Sequence, residues 1–189
     1  MIVLASASPR RQELLRSARI PFTVQPADIN ETPLAGESPR DCAERLAREK
    51  ALAVFQSWPP DYVLGADTIV VVDDVILGKP RDADDAVRML RSLSGRSHEV
   101  VTGVCVVSPV ARKAEALTAS ETTLVTMCEL SETEVRDYVA TGEPMDKAGA
   151  YAIQGIASRW IPRIEGDYSN VVGLPVALVY RMLRGRGAL

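Results

Sequence analysis

The sequence predicts an α/β fold in which a mixed β-sheet is flanked by helices. Two observations carry this prediction: helical and strand-like patterns alternate along the chain, and two apolar strand segments are joined by the short turn Asp73-Asp74. Such alternation is typical of layered folds with parallel strands, and the hairpin adds an antiparallel pair. The chain has 189 residues, a size at which folding removes about 70% of the unfolded chain's surface from water. We therefore expect one domain over residues 1–189 that needs no disulfide or structural metal.

The N-terminal part of the chain predicts a strand followed by two helices. Residues 1–5 are apolar and indicate a buried strand. Ser8-Pro9 and Ser38-Pro39 each pair an N-cap serine with a proline suited to the first helical position. The helices are expected to reach about Ala18 and Gln56, with extended and then loop-like residues 22–37 between them. The inward-facing positions are predicted to be Leu14, Leu15 and Ala18 in the first helix and Ala43, Leu46, Ala47, Lys50 and Val54 in the second.

The remaining elements follow from apolar runs and helix-start signals. Residues 62–72 predict a central strand interrupted at Gly65-Ala66-Asp67-Thr68, and residues 75–77 form the returning strand of the hairpin. Asp82 caps a helix whose predicted inward positions are Ala83, Ala86, Val87, Leu90 and Leu93. Strands are expected over residues 99–107, 117–127 and 160–164, a helix after the capping box of Ser131 and Glu134, and a final helix over residues 175–183.

Composition and charge exclude several classes of function. The chain carries 22 Lys and Arg against 25 Asp and Glu, which leaves no global positive charge to attract nucleic acid. No run approaches the roughly 18 apolar residues of a membrane helix, and the first arginines follow the N-terminal apolar run, unlike a signal peptide. We expect a cytoplasmic protein without nucleic-acid or membrane partners. Cys42, Cys105 and Cys128 form no C-x-x-C pair and predict reduced thiols among core residues.

The junction of the first strand and first helix is a candidate anion site. Ser6, Ser8, Arg10 and Arg11 place hydroxyls and guanidiniums beside the free N–H groups of a helix start. The alternative is that the serines only cap the helix and the arginines are solvated. The chain lacks both G-x-x-x-x-G-K-[ST] and G-x-G-x-x-G, so the P-loop and Rossmann interpretations lose their main support.

Asp67 is the second candidate, because a carboxylate inside an apolar strand needs a cation, a metal or hydrogen bonds. It is either a turn acid at a strand break or a general base or metal ligand at the edge of the sheet.

Lys50, on the buried helical stripe, and Lys79, in a Gly-Lys-Pro turn, are candidate phosphate contacts. The alternatives are that Lys50 extends to solvent and that Lys79 is an ordinary turn residue. Glu31 is either a solvated loop residue or a second carboxylate for Mg²⁺.

Two further polar features have open interpretations. Gln154, in a loop of small residues, suits the edge of a nucleobase or stabilises a turn. Asp146 and Lys147 are either structural or directed to the site. His98 is expected to be structural, since the chain contains no serine or cysteine nucleophile motif.

The motifs, taken in order, resemble those of the Maf family of nucleoside triphosphate pyrophosphatases. The matching segments are LASASPRRQELL at 4–15, NET at 30–32, LAREK at 46–50, GADT at 65–68, GKP at 78–80, LSGRSH at 93–98, EPMDKAGAYAIQG at 143–155 and GDYSNVVGLP at 166–175. The resemblance implies metal-dependent hydrolysis of a nucleoside triphosphate to the monophosphate and pyrophosphate. It also implies a two-lobed fold similar to the inosine triphosphatases, with the nucleotide in the cleft between the lobes, and a homodimer.

The resemblance also implies roles for individual residues. Asp67 is similar to the family's catalytic acid, as proton acceptor or metal ligand, and Glu31 to its second acidic residue; both are implied ligands of Mg²⁺ or Mn²⁺. Lys50 and Lys79 match phosphate-contacting lysines, and Ser8 and Arg11 lie in the anion-binding motif. The positions that distinguish substrates, Arg10, Thr68 and Gln154, resemble the branch that prefers dTTP and UTP.

Two other functions compete with this one. The first is a non-catalytic nucleotide-binding regulator of septum formation, against which the retained acids and lysines argue. The second is a 7-methyl-GTP pyrophosphatase, which the residues at the three substrate-distinguishing positions disfavour. One departure from the family pattern is Asn30, where an acid is often found before the position of Glu31.

Overall fold

The computed structural model describes residues 1–57, 62–110 and 113–189 of the chain. Its strands are β1 (Ile2–Leu4), β2 (Phe22–Val24), β3 (Tyr62–Val72), β4 (Val75–Leu77), β5 (Ser97–Val110), β6 (Lys113–Thr126) and β7 (Arg163–Glu165). Its α-helices are α1 (Pro9–Ser17), α2 (Pro39–Ser57), α3 (Ala83–Leu93), α4 (Glu132–Ala140), α5 (Tyr168–Val172) and α6 (Val176–Gly185). Short 3₁₀ helices cover Glu143–Asp146, Ala148–Ala150 and Ile156–Trp160. The predicted α/β class is confirmed.

Within these described residues the strands form one seven-stranded mixed sheet, in the order β2-β1-β3-β5-β6-β7 with β4 beside β3. β1 pairs in parallel with β2 and β3, whereas β3 pairs antiparallel with β4 and β6 antiparallel with β7. The predicted hairpin turn is confirmed: Asp73 and Asp74 have φ values of 49° and 60°. Two consecutive left-handed residues are the geometry that joins twisted antiparallel strands tightly.

The chain divides into two compact units, of which the first comprises Met1–Thr68, Thr102–Glu121 and Gly173–Leu189. Its strands bury both faces, because alternate residues of β1, β3 and β5 enter two different clusters. One cluster packs α1 and α6 through residues such as Leu15 and Leu183, and the other packs α2 through Ala47, Ala51 and Val54. This unit contains the first four of the matching segments in full, from LASASPRRQELL to GADT.

The second unit comprises Ile69–Val101 and Thr122–Val172. Its single described core joins the ends of the strands to α3 and α4, with Leu90, Tyr138 and Trp160 among its buried side chains. Asp82 caps α3, and Ser131 and Glu134 form the predicted capping box at the start of α4. The tyrosine and tryptophan rings meet edge to face at a centroid distance of 5.2 Å.

Several local expectations are wrong. β3 continues without interruption through Gly65-Ala66-Asp67-Thr68, because these residues keep a buried, strand-like backbone. Ala18 is exposed because it lies at the C-terminal cap of α1, and Ala83 is exposed in the first turn of α3. Cys128 is exposed, beyond the end of β6, whereas the other two thiols are buried as expected. Trp160 ends a 3₁₀ helix, so the strand predicted from it begins only at Arg163.

The structure also bears on membrane insertion and adds one element. Among the described residues, no helix combines the length and apolar character needed to cross a bilayer. Helix α5 was not predicted from the sequence, since its five residues are too few for a periodic pattern.

Candidate functional site

Two glycines allow α2 to lie directly against the sheet of the first unit. A Cβ atom added to Gly65 of β3 would lie 2.2 Å from the carbonyl oxygen of Ala47, and one added to Gly103 of β5 would lie 2.2 Å from that of Ala43. These separations are far below van der Waals contact, so only glycine permits this approach of helix backbone to strand backbone. This close approach sets the distance between α2 and β3. Helix α2 carries Lys50 and strand β3 carries Asp67, two of the predicted charged residues.

Lys50 of α2 and Asp67 of β3 meet in this interface. The ammonium Nζ donates to Asp67 Oδ1 at 2.6 Å and lies 2.7 Å from Glu31 Oε1. Lys50 and Asp67 are each only 7% exposed, whereas Glu31 is half exposed. The structure therefore contradicts two alternatives left open by the sequence, a lysine extending to solvent and an aspartate at a strand break.

This triad has the charge pattern of a cation site. Two carboxylates against one ammonium leave a formal charge of −1, and both carboxylates point at the same cation. A buried charge that loses its partner costs about 3–5 kcal/mol, so removal of either Lys50 or Asp67 leaves the other charge uncompensated. The cluster holds one ammonium and two carboxylates together, and these groups bind phosphate oxygens and a divalent cation, respectively.

Arg11 organises the strand segment around Asp67. Its Nε donates to Gly173 O at 2.8 Å, Nη1 donates to Ala66 O at 2.8 Å and to Ser6 Oγ at 3.2 Å, and Nη2 donates to Thr68 Oγ1 at 3.1 Å. The guanidinium therefore holds both neighbours of Asp67. Burial lowers the pKa of Arg11 from its ordinary value, and the Asp67 carboxylate raises it in part.

Thr68 is bound on several sides. In addition to the bond from Arg11, its hydroxyl donates to Gly173 O at 3.2 Å and lies 3.0 Å from Thr102 Oγ1. These contacts hold the hydroxyl of Thr68, the residue that directly follows Asp67 in β3.

The start of α1 has the predicted capping chemistry. Ser8 is the N-cap, and its Oγ accepts from the N–H of Arg11 at a long 3.5 Å, while its own N–H donates to Ser6 Oγ at 3.2 Å. Arg10 is half-buried in the first turn of the helix. The structure thus places Ser8, Arg10 and Arg11 at the helix start and in the same unit as Lys50 and Asp67.

The loop that carries Glu31 is attached to α2 by Arg45. The guanidinium binds Glu37 in a bidentate pair, with Nε–Oε1 at 2.6 Å and Nη2–Oε2 at 2.9 Å, and Nη2 also donates to Thr32 O at 3.2 Å. The hydrogen bonds from Arg45 lower the pKa of Glu37 to about 2. Since Thr32 directly follows Glu31, this clamp restricts the backbone that presents the second carboxylate.

Lys79 and Gln154 belong to the second unit. Lys79 is exposed just after β4, and Gln154 is exposed in the turn before the third 3₁₀ helix. Lys147 Nζ donates to Glu143 O at 2.8 Å and to Asp146 Oδ1 at 2.5 Å, which is a structural use of this charge pair. The substrate roles predicted for Lys79 and Gln154 remain predictions.

His98 is buried in the second unit and bonded to Tyr151, with Nε2 2.7 Å from the hydroxyl oxygen. Burial lowers the pKa of His98 to about 4, so the ring is neutral near pH 7. This agrees with the structural role expected for this residue.

The carboxylates of the site fit a divalent cation whose remaining coordination positions are filled by substrate phosphates. No group of three His, Cys, Asp or Glu side chains within the described ranges is arranged to hold a metal by itself. Mg²⁺, however, is typically held by one or two carboxylates together with substrate phosphates. Asp67 and Glu31 converge on one point, where the Lys50 ammonium is the cation present.

The sequence does not reveal the residues that shape the site without taking part in its chemistry. It assigns Gly65 to a strand interruption and does not single out Gly103 or Arg45, whose guanidinium also contacts Glu49 within α2 at 3.3 Å. A glycine inside an otherwise β-branched run was the available signal for a close backbone approach. The pairing of Arg45 with Glu37 had no comparable signal.

Comparison with known proteins gives a consistent result. The family described as Maf-like protein matches residues 1–186. The dTTP/UTP pyrophosphatase of Koribacter versatilis (strain Ellin345) is 58% identical over 188 residues, covering 100% of this chain and 95% of the relative. The dTTP/UTP pyrophosphatase of Geobacter sp. (strain M21) is 55% identical over 188 residues, covering 100% and 96%, and that of Syntrophomonas wolfei is 52% identical over 184 residues, covering 97% and 96%. The family match spans both units and every predicted site residue, and the chain therefore belongs to the Maf-like protein family.

Proposed function

We propose that this chain hydrolyses nucleoside triphosphates, with dTTP and UTP preferred, to the nucleoside monophosphate and pyrophosphate. The observation that carries the proposal is the buried Lys50 ammonium held between the carboxylates of Asp67 and Glu31. Such a cluster offers a cation to phosphate oxygens and carboxylates to water or metal at one place. The names of the relatives support the same reaction and the same substrates.

In the proposed reaction, the oxygen of water bonds to the α-phosphorus, the bond from that phosphorus to the oxygen bridging the α- and β-phosphates breaks, and pyrophosphate leaves with that oxygen. Asp67 accepts the proton of the water or holds the cation, and Lys50 contacts phosphate oxygens and screens their charge. A divalent cation, Mg²⁺ or Mn²⁺, held by Asp67 and Glu31 would supply charge neutralisation and polarisation of phosphoryl oxygens. Removing bulk water from these charges strengthens each interaction, since Lys50 and Asp67 are both buried.

The remaining substrate contacts are proposed from the motif matches. Ser8 at the start of α1 and Lys79 are proposed to contact phosphates. Arg11 is proposed to contribute its positive charge and to hold the residues on either side of Asp67 in place. Its three side-chain nitrogens already donate to protein oxygens. Arg10, Thr68 and Gln154 are proposed to distinguish substrates, since polar groups left unpaired by the wrong base penalise its binding.

The test is release of monophosphate and pyrophosphate from a panel of dTTP, UTP, CTP, 7-methyl-GTP and ITP, with Mg²⁺ or Mn²⁺ and a chelator control. Metal-dependent cleavage that favours dTTP and UTP is the expected result. Preferred cleavage of 7-methyl-GTP would instead identify the chain as a 7-methyl-GTP pyrophosphatase. Binding of nucleotides without any cleavage would favour the non-catalytic regulator and overturn the proposal.

Four further properties belong to the same proposal. We propose that residues 1–189 act as one domain and that the chain forms a homodimer in the cytoplasm, where modified pyrimidine nucleotides are additional substrates. Sedimentation of the purified chain tests the dimer, and fractionation of cells that express it tests the location. Cleavage of 5-substituted uridine triphosphates tests the last of these.

A further inference from the structure

Glu143 and Gly155, the two ends of the EPMDKAGAYAIQG segment, meet in the second unit. Glu143 Oε1 accepts from the N–H of Ile156 at 3.0 Å, and Oε2 is 3.3 Å from the same nitrogen. A Cβ atom added to Gly155 would lie 2.2 Å from Glu143 Oε1. The carboxylate therefore rests against the backbone immediately after Gln154, where any larger residue than glycine would displace it.

Tyr138 of α4 ties the other side of the same turn. Its hydroxyl donates to Glu143 Oε1 at 2.8 Å and accepts from the N–H of Ala152 at 3.2 Å. The turn closes on itself through the N–H of Gly155, which donates to Ala152 O at 3.0 Å. The backbone is thus held two residues before and two residues after Gln154, by one carboxylate and one phenol.

Glu143 is itself well anchored. Lys147 Nζ donates to its carbonyl oxygen at 2.8 Å, and its N–H donates to Thr141 Oγ1 at 3.2 Å. The aromatic body of Tyr138 is buried, and burial together with the bond to Glu143 raises the pKa of the phenol. The hydroxyl therefore stays protonated and keeps its donor role. The Gln154 side chain, in contrast, is exposed and makes none of the hydrogen bonds found among the described residues.

We propose that Glu143 is a positioning residue that determines base specificity by holding the turn that presents Gln154. The inference rests on the proposed function, because it assigns Glu143 to the base-distinguishing part of that reaction. On a loose turn the Cα atom of Gln154 would take several positions and its amide could meet several bases, whereas the held backbone sets the one position from which the side chain reaches the base. Glu143 acts through Gln154 and has no contact of its own with the substrate.

The experiment is a double-mutant cycle on the full chain, with the selectivity for dTTP over CTP, as a ratio of kcat/KM values, as the readout. Glu143→Ala is expected to lower this ratio about tenfold, the effect of one lost hydrogen-bond pattern. The same loss is expected for Gln154→Ala, and the double variant should lose no more than either single variant. The KM for dTTP should rise while kcat changes little.

Controls separate positioning from general damage. Glu129→Ala removes an exposed carboxylate of the same unit and should leave the ratio unchanged. Glu143→Gln retains Oε1 as an acceptor and should restore most of the selectivity, and Gly155→Ala should reproduce the loss by a different route. These variants give a result even where Glu143→Ala does not fold.

The outcomes are distinguishable from failure of the proposed function. Additive losses in the double variant, or an unchanged ratio in Glu143→Ala and Gly155→Ala, would overturn the positioning role while the enzyme activity stands. Absence of cleavage by the unmodified chain would overturn the proposed function, and the inference with it.

Discussion

The close contact of α2 with β3 at Gly65 gives a prediction whose magnitude follows from distances. In Gly65→Ala the new methyl group would lie 2.2 Å from Ala47 O and 2.9 Å from both Ala51 N and Ala51 Cβ. Ordinary contact begins at 3.4 Å, so the helix and strand must separate locally by 3.4 − 2.2 = 1.2 Å. Lys50 lies between these two alanines on α2, and Asp67 is two residues beyond Gly65 on β3. The 2.6 Å contact of Lys50 with Asp67 is therefore expected to lengthen.

Two measurable effects follow from this displacement. Overpacking of this kind destabilises a protein by about 1–3 kcal/mol, and each kcal/mol lowers the Tm of a domain of this size by about 2–4 °C. A misplacement of about 1 Å in a catalytic geometry reduces kcat/KM on the order of 100-fold. We expect both a lower Tm by circular dichroism and a loss of dTTP cleavage that persists well below that Tm.

The matched control is Gly185→Ala, at the end of α6 in the same unit. A Cβ atom there meets nothing within 4 Å, so neither the Tm nor kcat/KM should fall. If Gly65→Ala retained the Tm and the kcat/KM of the unmodified chain, the reasoning that close helix contact sets the site geometry would be refuted.

Three further predictions concern single side chains. Asp67→Asn should abolish turnover while nucleotide binding, measured by calorimetry, largely survives; full activity would remove Asp67 from the mechanism. Arg45→Gln removes the guanidinium that pairs with Glu37 and donates to Thr32 O, so the Mg²⁺ concentration for half-maximal activity should rise several-fold, and an unchanged value in a folded variant would contradict the clamp. The pKa of His98 is lowered from 6.5 to about 4 in the folded chain. As the pH falls below about 6.5, this imidazole is protonated in the unfolded chain but not in the folded chain, so stability is lost. Between pH 7 and 5 this group should reduce the free energy of unfolding by about 2 kcal/mol; urea titrations should show a smaller decrease in His98→Asn, and equal decreases would exclude the histidine as the cause.

Local chemistry explains why much of the fold could be predicted. The caps at Ser8, Asp82 and Ser131 and the turn at Asp73-Asp74 depend on groups within three or four residues, and the structure contains all of them. Ala18 shows the limit of the same reasoning. Its spacing suits the inner face of α1, but the helix ends one residue earlier, and the exposed side chain follows from that boundary.

The candidate site was predictable in its residue types and only partly in its contacts. The placement of Lys50 on a buried helical stripe already required a partner for its charge, and Asp67 in an apolar strand required one as well. That each is the other's partner follows from the packing of α2 on β3, which brings together residues 17 positions apart. The contact of Lys50 with Glu31 involves the loop that Arg45 holds through Glu37 and Thr32, and the sequence contained no signal for this pairing.

The sequence by itself determined the α/β class, the helix starts, the order of the motifs and the charged residues that need partners, because each of these depends on short-range periodicity, capping or side-chain chemistry. Only the tertiary structure decided which charges meet and how rigidly they are held. Arg11 donates to Gly173, 162 positions along the chain, and Glu143 fits against the bare backbone of Gly155. Contacts of this kind depend on the distance between packed elements. A few glycines without side chains set that distance as much as the residues that carry the chemistry do.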